Sequence, residues 1–108
     1  MAPETVVTIT VKTPDKFYGN LAYKLLNDLN ANRTVALFMQ ESTITAQYTA
    51  ERGRTKPELE QAVKDLGRLL RTKIPIPQTI EVSIKQHRTV RKDCMYTTVD
   101  TTVGIVLR

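Results

Sequence analysis

The run Val35-Ala36-Leu37-Phe38-Met39-Gln40-Glu41-Ser42-Thr43-Ile44-Thr45-Ala46-Gln47-Tyr48-Thr49-Ala50 decides how many strands this chain has. Val35 to Met39 is apolar on both faces, which suits a central strand. Ile44, Ala46, Tyr48 and Ala50 alternate with Thr45, Gln47 and Thr49, which suits a half-buried one. Glu41-Ser42-Thr43 reads either as a hairpin turn or as the middle of one long bent strand. The local residues leave both open, so the element order is written β-α-β-(β)-α-β-β.

Before this run, Thr5 to Val11 reads as a strand with Val7, Ile9 and Val11 on one face. Thr13 is then expected to cap a helix with Pro14 at its first position. Tyr18, Leu21, Ala22, Leu25, Leu26 and Leu29 form its apolar stripe, and Asn30-Ala31-Asn32 ends it. Tyr18 and Tyr23 are read as packing residues, since a tyrosine at helical spacing usually belongs to the core.

After the run comes Arg52-Gly53-Arg54-Thr55-Lys56-Pro57-Glu58. Thr55 and Glu58 have the spacing of a capping box, and Pro57 sits in the first turn where its missing N–H costs nothing. Gly53 is expected to supply a backbone conformation closed to residues with a Cβ. Arg52, Arg54 and Lys56 therefore flank a helix N-terminus, where free amides and the helix dipole attract anions. Leu59, Ala62, Val63, Leu66, Leu69 and Leu70 form the apolar stripe of that second helix. Ile74-Pro75-Ile76-Pro77 cannot continue it and is expected to form a stiff connector.

Ile80, Val82 and Ile84 alternate with Glu81, Ser83 and Lys85 in a clean strand, and Val99, Val103, Ile105 and Leu107 mark one face of another. Between them, Lys85-Gln86-His87-Arg88-Thr89-Val90-Arg91-Lys92 carries four cations and a histidine. A segment joining two strands in this way is expected to form a basic hairpin arm able to reach a groove. The elements together give an α+β, two-layer sandwich with a mixed sheet and two helices on one face.

The 108 residues suit one domain, 41% hydrophobic and 25% charged, with a net charge of +5. Residues 1–50 are neutral, with Lys12, Lys16, Lys24 and Arg33 against Glu4, Asp15, Asp28 and Glu41. The whole excess therefore lies in residues 51–108, which points to a polyanionic partner, DNA and/or RNA. No apolar run approaches the ~20 residues of a membrane span, and Met1-Ala2-Pro3-Glu4 is unlike a signal peptide. The lone Cys94 fits a reducing compartment, so a cytoplasmic (nucleoid-associated) or nuclear location is expected.

Little in the chain suggests catalysis. His87 is the single histidine, and one histidine with one cysteine seven residues away does not make a zinc site. Gly53 and Gly67 fit neither a Walker nor a dinucleotide loop. The expectation is a protein that is no enzyme, with no catalytic residue, metal, cofactor or small-molecule substrate. It is expected to contact phosphates through Lys12, Lys16, Arg52, Gly53, Arg54, Lys56, Lys85, Arg88, Arg91 and Lys92. In the competing expectation, a structural or assembly module turns the same basic half toward an acidic protein partner.

The order of several short motifs resembles the Alba-domain family. Lys12-Thr13-Pro14, then Tyr18, Ala22 and Leu25-Leu26, is similar to that family's lysine pair, proline, and helix with tyrosine, alanine and paired leucines. Arg52-Gly53-Arg54 and Ala62-Val63 look like its arginine-glycine-arginine turn and following helix, and Ile80 to Arg108 is similar to its closing basic hairpin. Thr13 stands in place of the second lysine, so only Lys12 carries over. The resemblance implies a homodimeric, chromatin- or RNA-associated protein that binds nucleic acid with low sequence specificity. Between Leu26 and Arg52 the chain exceeds the family pattern by enough for one more strand, which leaves a ferredoxin-like fold as the alternative.

Overall fold

The computed structural model of the chain describes residues 4–31, 34–74 and 79–108. Asn32 at the expected helix end and the Pro75-Ile76-Pro77 connector lie outside the described residues. In order the elements are β1 (Thr5–Lys12), α1 (Lys16–Leu29), β2 (Ala36–Gln40), β3 (Thr43–Ala50), α2 (Lys56–Lys73), β4 (Ile80–Lys92) and β5 (Met95–Leu107). The run from Val35 to Ala50 is thus a hairpin. Its two-residue turn places Glu41 at φ 58, in the left-handed region that short hairpins need.

That turn changes the sheet. The strand order is β2-β3-β1-β4-β5, and every neighbouring pair is antiparallel. The expected mixed sheet is therefore corrected to a five-stranded antiparallel one. The physical reason is the reversal at Glu41-Ser42. Helix α1 carries the chain from β1 to β2, and the hairpin then folds β3 back between them. Likewise α2 links β3 to β4 with β1 lying between. Two split β-α-β units interlock, and β5 is added by a second hairpin.

Both helices cover one face, which makes two layers. Val7 and Val11 of β1, Ile44 and Ala46 of β3, Ile80, Val82 and Ile84 of β4, and Val103 of β5 point to that face and are buried. Leu26 of α1 and Leu59 and Leu70 of α2 complete the core at 1% exposure or less, each contributing about 2 kcal/mol. The period of two along each strand explains the other face, where Thr8, Thr10, Thr45 and Ser83 stand uncovered by a helix. Helix α2 sits so close to β5 that a Cβ on Gly67 would lie 2.5 Å from Ile105 Cδ1.

Helix α1 begins two residues later than expected. Asp15, not Thr13, is the cap, with its Oδ1 accepting from the Tyr18 N–H at 3.0 Å. Thr13 instead donates its hydroxyl to the Ser42 carbonyl at 2.6 Å and ties the start of α1 to the β2–β3 turn. The apolar stripe of α1 also shifts. Ala22 and Leu26 are buried and Tyr18 and Leu25 pack beside them, but Leu21 and Leu29 are exposed along with Phe17. Among the described residues, no helix is long and apolar enough to cross a membrane.

Candidate nucleic-acid interface

The capping box at the start of α2 is present. The Glu58 N–H donates to Thr55 Oγ1, and the Thr55 N–H donates to Glu58 Oε1 at 3.1 Å. These Thr55 bonds, the backbone one first, hold the Glu58 carboxyl below the ordinary glutamate range, and the charges of Arg52 and Arg54 add to the effect. The turn from Glu51 to Thr55 is thus closed on its helix side, and Arg52, Arg54 and Lys56 are left exposed on it.

Its other side is closed by β4. Gln86 is 1% exposed and directs its amide into the turn. The Arg54 N–H donates to Gln86 Oε1 at 2.7 Å, while Gln86 Nε2 donates to the Arg54 carbonyl at 2.9 Å. Gln86 was not among the expected site residues. Its signal is the alternation itself: Ile80, Val82 and Ile84 are buried on one face, and the next inward position holds an amide. A polar side chain there must find partners, and the turn supplies both.

Gly53 lies against Arg88, two residues further along the same face of β4. A Cβ on Gly53 would come within 2.5 Å of Arg88 Nε and 2.8 Å of Cζ. Gly53 does not have a positive φ. The expectation of a special backbone conformation is corrected: the glycine is needed for space, to let the guanidinium lie on the turn. The basic turn and the arm therefore meet, bringing Arg52, Arg54 and Lys56 beside Arg88.

The arm itself is longer and more regular than expected. Lys85 to Lys92 is not a connection between strands but the second half of β4, paired with β5 as far as Lys92 opposite Met95. The reversal is made by Asp93 and Cys94, at φ 49 and 66, where the left-handed conformation matches the twist of the ladder. Strand β1 ends its pairing at Thr5 opposite Arg88, and the Thr89 N–H donates to the Glu4 carbonyl at 2.8 Å. Beyond that point the two-stranded ribbon projects, which makes the molecule 51 Å long and 25 Å wide. Val99, expected in the core, lies on this ribbon and is 50% exposed.

Strand alternation divides the arm's cations. Arg88 and Lys92 share the helix-side face, while Lys85 and Arg91 point to the open face. Lys85 lies within the body of the sheet, opposite Thr8 and Thr102. Its Nζ is 3.8 Å from Asp100 Oδ2, and Asp100 also meets His87 Nδ1.

Lys12 and Lys16 are not part of this cluster. Lys12 pairs with Thr43 and Glu81 at the far end of β1, and Lys16 opens α1 at that same end. Because β3 runs antiparallel to β1, the end of β1 and the end of β3 lie on opposite sides of the sheet. Seven strand steps of ~3.3 Å separate them by about 23 Å. The structure brings together Arg52, Gly53, Arg54, Lys56 and Arg88, with Arg91 and Lys92 further out on the arm. It leaves Lys12, Lys16 and Lys85 elsewhere.

Compared with protein-family models, curated proteins and solved structures, the chain matches none.

Proposed function

We propose that this protein binds nucleic acid through backbone phosphates, with low sequence specificity, using the basic turn and the projecting arm. The observation that carries the reading is the contact of Gly53 with Arg88 beside the double hydrogen bond between Arg54 and Gln86. It draws cations from two distant parts of the sequence into one surface at one end of the sheet. Arg52, Arg54, Lys56, Arg88 and Lys92 are exposed there, and Arg91 is exposed on the opposite face of the same arm. They outnumber the neighbouring acids Glu4, Glu51, Glu58 and Asp93, and Glu58 is already engaged by the cap. Phosphates recognise such an array without reading bases, which is the origin of the low specificity.

The fold that carries this surface is read as ferredoxin-like with one added strand, from the two interlocked split β-α-β units. The Alba resemblance implies docking through the strand-to-helix turn and the hairpin arm, whereas Lys12 lies at the other end of β1. The proposal therefore rests on the turn and the arm. An intracellular role on chromatin or RNA follows from the same surface.

A second reading has its own observation. Phe17, Leu21 and Leu29 are exposed on α1 at four- and eight-residue spacings, with half-buried Leu25 between the last two. Such a stripe suits a protein contact, including a homodimer, and favours the assembly-module alternative. Titration of labelled duplex and single-stranded nucleic acid, with an acidic polypeptide as control, separates the two readings. Phosphate recognition gives tight, salt-sensitive binding to the nucleic acids. Equal binding to the polypeptide would favour the assembly module.

A further inference from the structure

Helix α1 packs over β2 and β3, and α2 over β4 and β5. At the arm end this leaves part of the inner sheet face open between them. The opening is a cleft of about 690 Å³, within the ~300–1,000 Å³ of ligand sites. Its floor is Val7 and Ile84, its walls are Leu59, Tyr48 and Ala50, and Arg52 and Arg54 stand among its lining residues.

This lining combines two demands. Val7, Ile84, Leu59, Ala50 and the Tyr48 ring give the cleft an apolar side that suits a flat body, while Thr34, Thr49, Gln86 and the charged residues make the larger part of its lining polar. The guanidinium groups suit an anion joined to that body. Glu51 also lines the cleft and opposes one of those charges, but Arg88 lies on the turn beside it and restores the excess. A nucleotide has this pair of properties. In a duplex the bases are stacked and paired within the helix, so only an unstacked strand can offer one.

We propose that the cleft receives one unstacked base of a single-stranded nucleic acid, whose flanking phosphates lie on Arg52 and Arg54. The inference rests on the phosphate-binding reading and adds the form of the ligand. Gln86 lines the cleft, but its amide is already used on both sides by the Arg54 backbone. It has little capacity left to read a base edge. Recognition is therefore by shape and by stacking on Tyr48, which tolerates any base. Among the described residues the open sheet face carries the rings of Phe38 on edge strand β2, His87 on β4 and Tyr96 on the arm, all facing away from the cleft and its arginines.

The test uses the full chain with three labelled probes of about 12 nucleotides, within the ~4–16 that such sites span. They are a thymidine strand, an abasic strand with the same phosphates, and a duplex. A uridine strand alongside shows which sugar is preferred. The thymidine strand should bind roughly tenfold tighter than the abasic one, the worth of one stacked base. Ala50→Leu fills the cleft without touching a cation and should erase that difference while leaving abasic affinity unchanged. Thr34→Leu, at an exposed position on the cleft lining, should do the same and serves if Ala50→Leu lowers the melting temperature. Equal wild-type affinity for thymidine and abasic strands overturns the inference and leaves the phosphate reading standing. So does a thymidine preference that survives both substitutions. Failure of every probe to bind overturns both.

Discussion

Gln86 and Arg54 exchange two hydrogen bonds, one in each direction, at 2.7 and 2.9 Å. A primary amide used this way behaves as a peptide group: it offers the turn the donor and acceptor that a neighbouring strand would have supplied. The turn after β3 is thereby fixed to β4 although no backbone pairing reaches it. Its cations are held in place rather than left on a free loop.

Gln86→Leu should destabilise the fold, because it leaves the Arg54 N–H and carbonyl without their partner. The expected loss is about 1–3 kcal/mol. At roughly 4–8 °C per kcal/mol for a domain of this size, melting should fall by about 4–24 °C. Calorimetry reads it directly. An unchanged melting temperature would mean that the turn is held by something else.

Gly53→Ala should act in the opposite way. The glycine has no positive φ, so alanine meets no backbone strain, and the clash falls on the flexible end of Arg88. Melting should stay level or rise slightly, since alanine restricts the unfolded chain. Binding should nonetheless weaken as the guanidinium is displaced. A variant that binds as wild type would remove Arg88 from the interface.

The two ends of the sheet should differ under charge removal. Replacing Arg88, Arg91 and Lys92 by serine should reduce the slope of log K against log salt on duplex DNA by up to about 2.7, at ~0.9 per phosphate. Replacing Lys12 and Lys16 by serine should leave that slope unchanged, because they lie about 23 Å away at the far end of β1. Equal losses from both variants would place nucleic acid along the whole sheet instead.

Acid should loosen the cap of α2. The folded Glu58 carboxyl is held low, mainly by the Thr55 hydrogen bonds. Its contribution is therefore complete above the ordinary glutamate range and is lost as pH falls through the folded value. Thr55→Ala should lower melting by a few degrees at neutral pH, and the gap to wild type should narrow in acid. A gap that does not change with pH would exclude the Glu58 bond from the cap.

Local chemistry in the sequence was sufficient for some of these features and not for others. The Thr55–Glu58 box involves residues three apart, and the strand faces follow a period of two, so both are legible without tertiary knowledge. The hairpin at Glu41-Ser42 lacks the glycine or asparagine that usually marks such a turn, and the sheet was expected to be mixed. One chain reversal decides strand direction, and with it which basic segments meet. Thr13 looks like a helix cap, but its hydroxyl is taken by Ser42, and Asp15 caps instead. Leu29 and Val99 fit apolar patterns yet are exposed, because each lies beyond the reach of the opposing layer. Gln86 was visible only as an amide in an apolar register, and its partner 32 residues away was not.

The most direct test is the salt dependence of affinity for duplex and single-stranded nucleic acid. With Arg52, Arg54, Lys56, Arg88, Arg91 and Lys92 each neutralising one phosphate, log K should fall with log salt at a slope near −5 on duplex DNA and near −4 on single strands, from ~0.9 and ~0.7 per phosphate. Reversing charge at Arg54 and Lys56 should weaken binding to all sequences alike and leave melting unchanged. A slope near zero with affinity retained, or no binding at low salt, would contradict phosphate recognition by the turn and the arm.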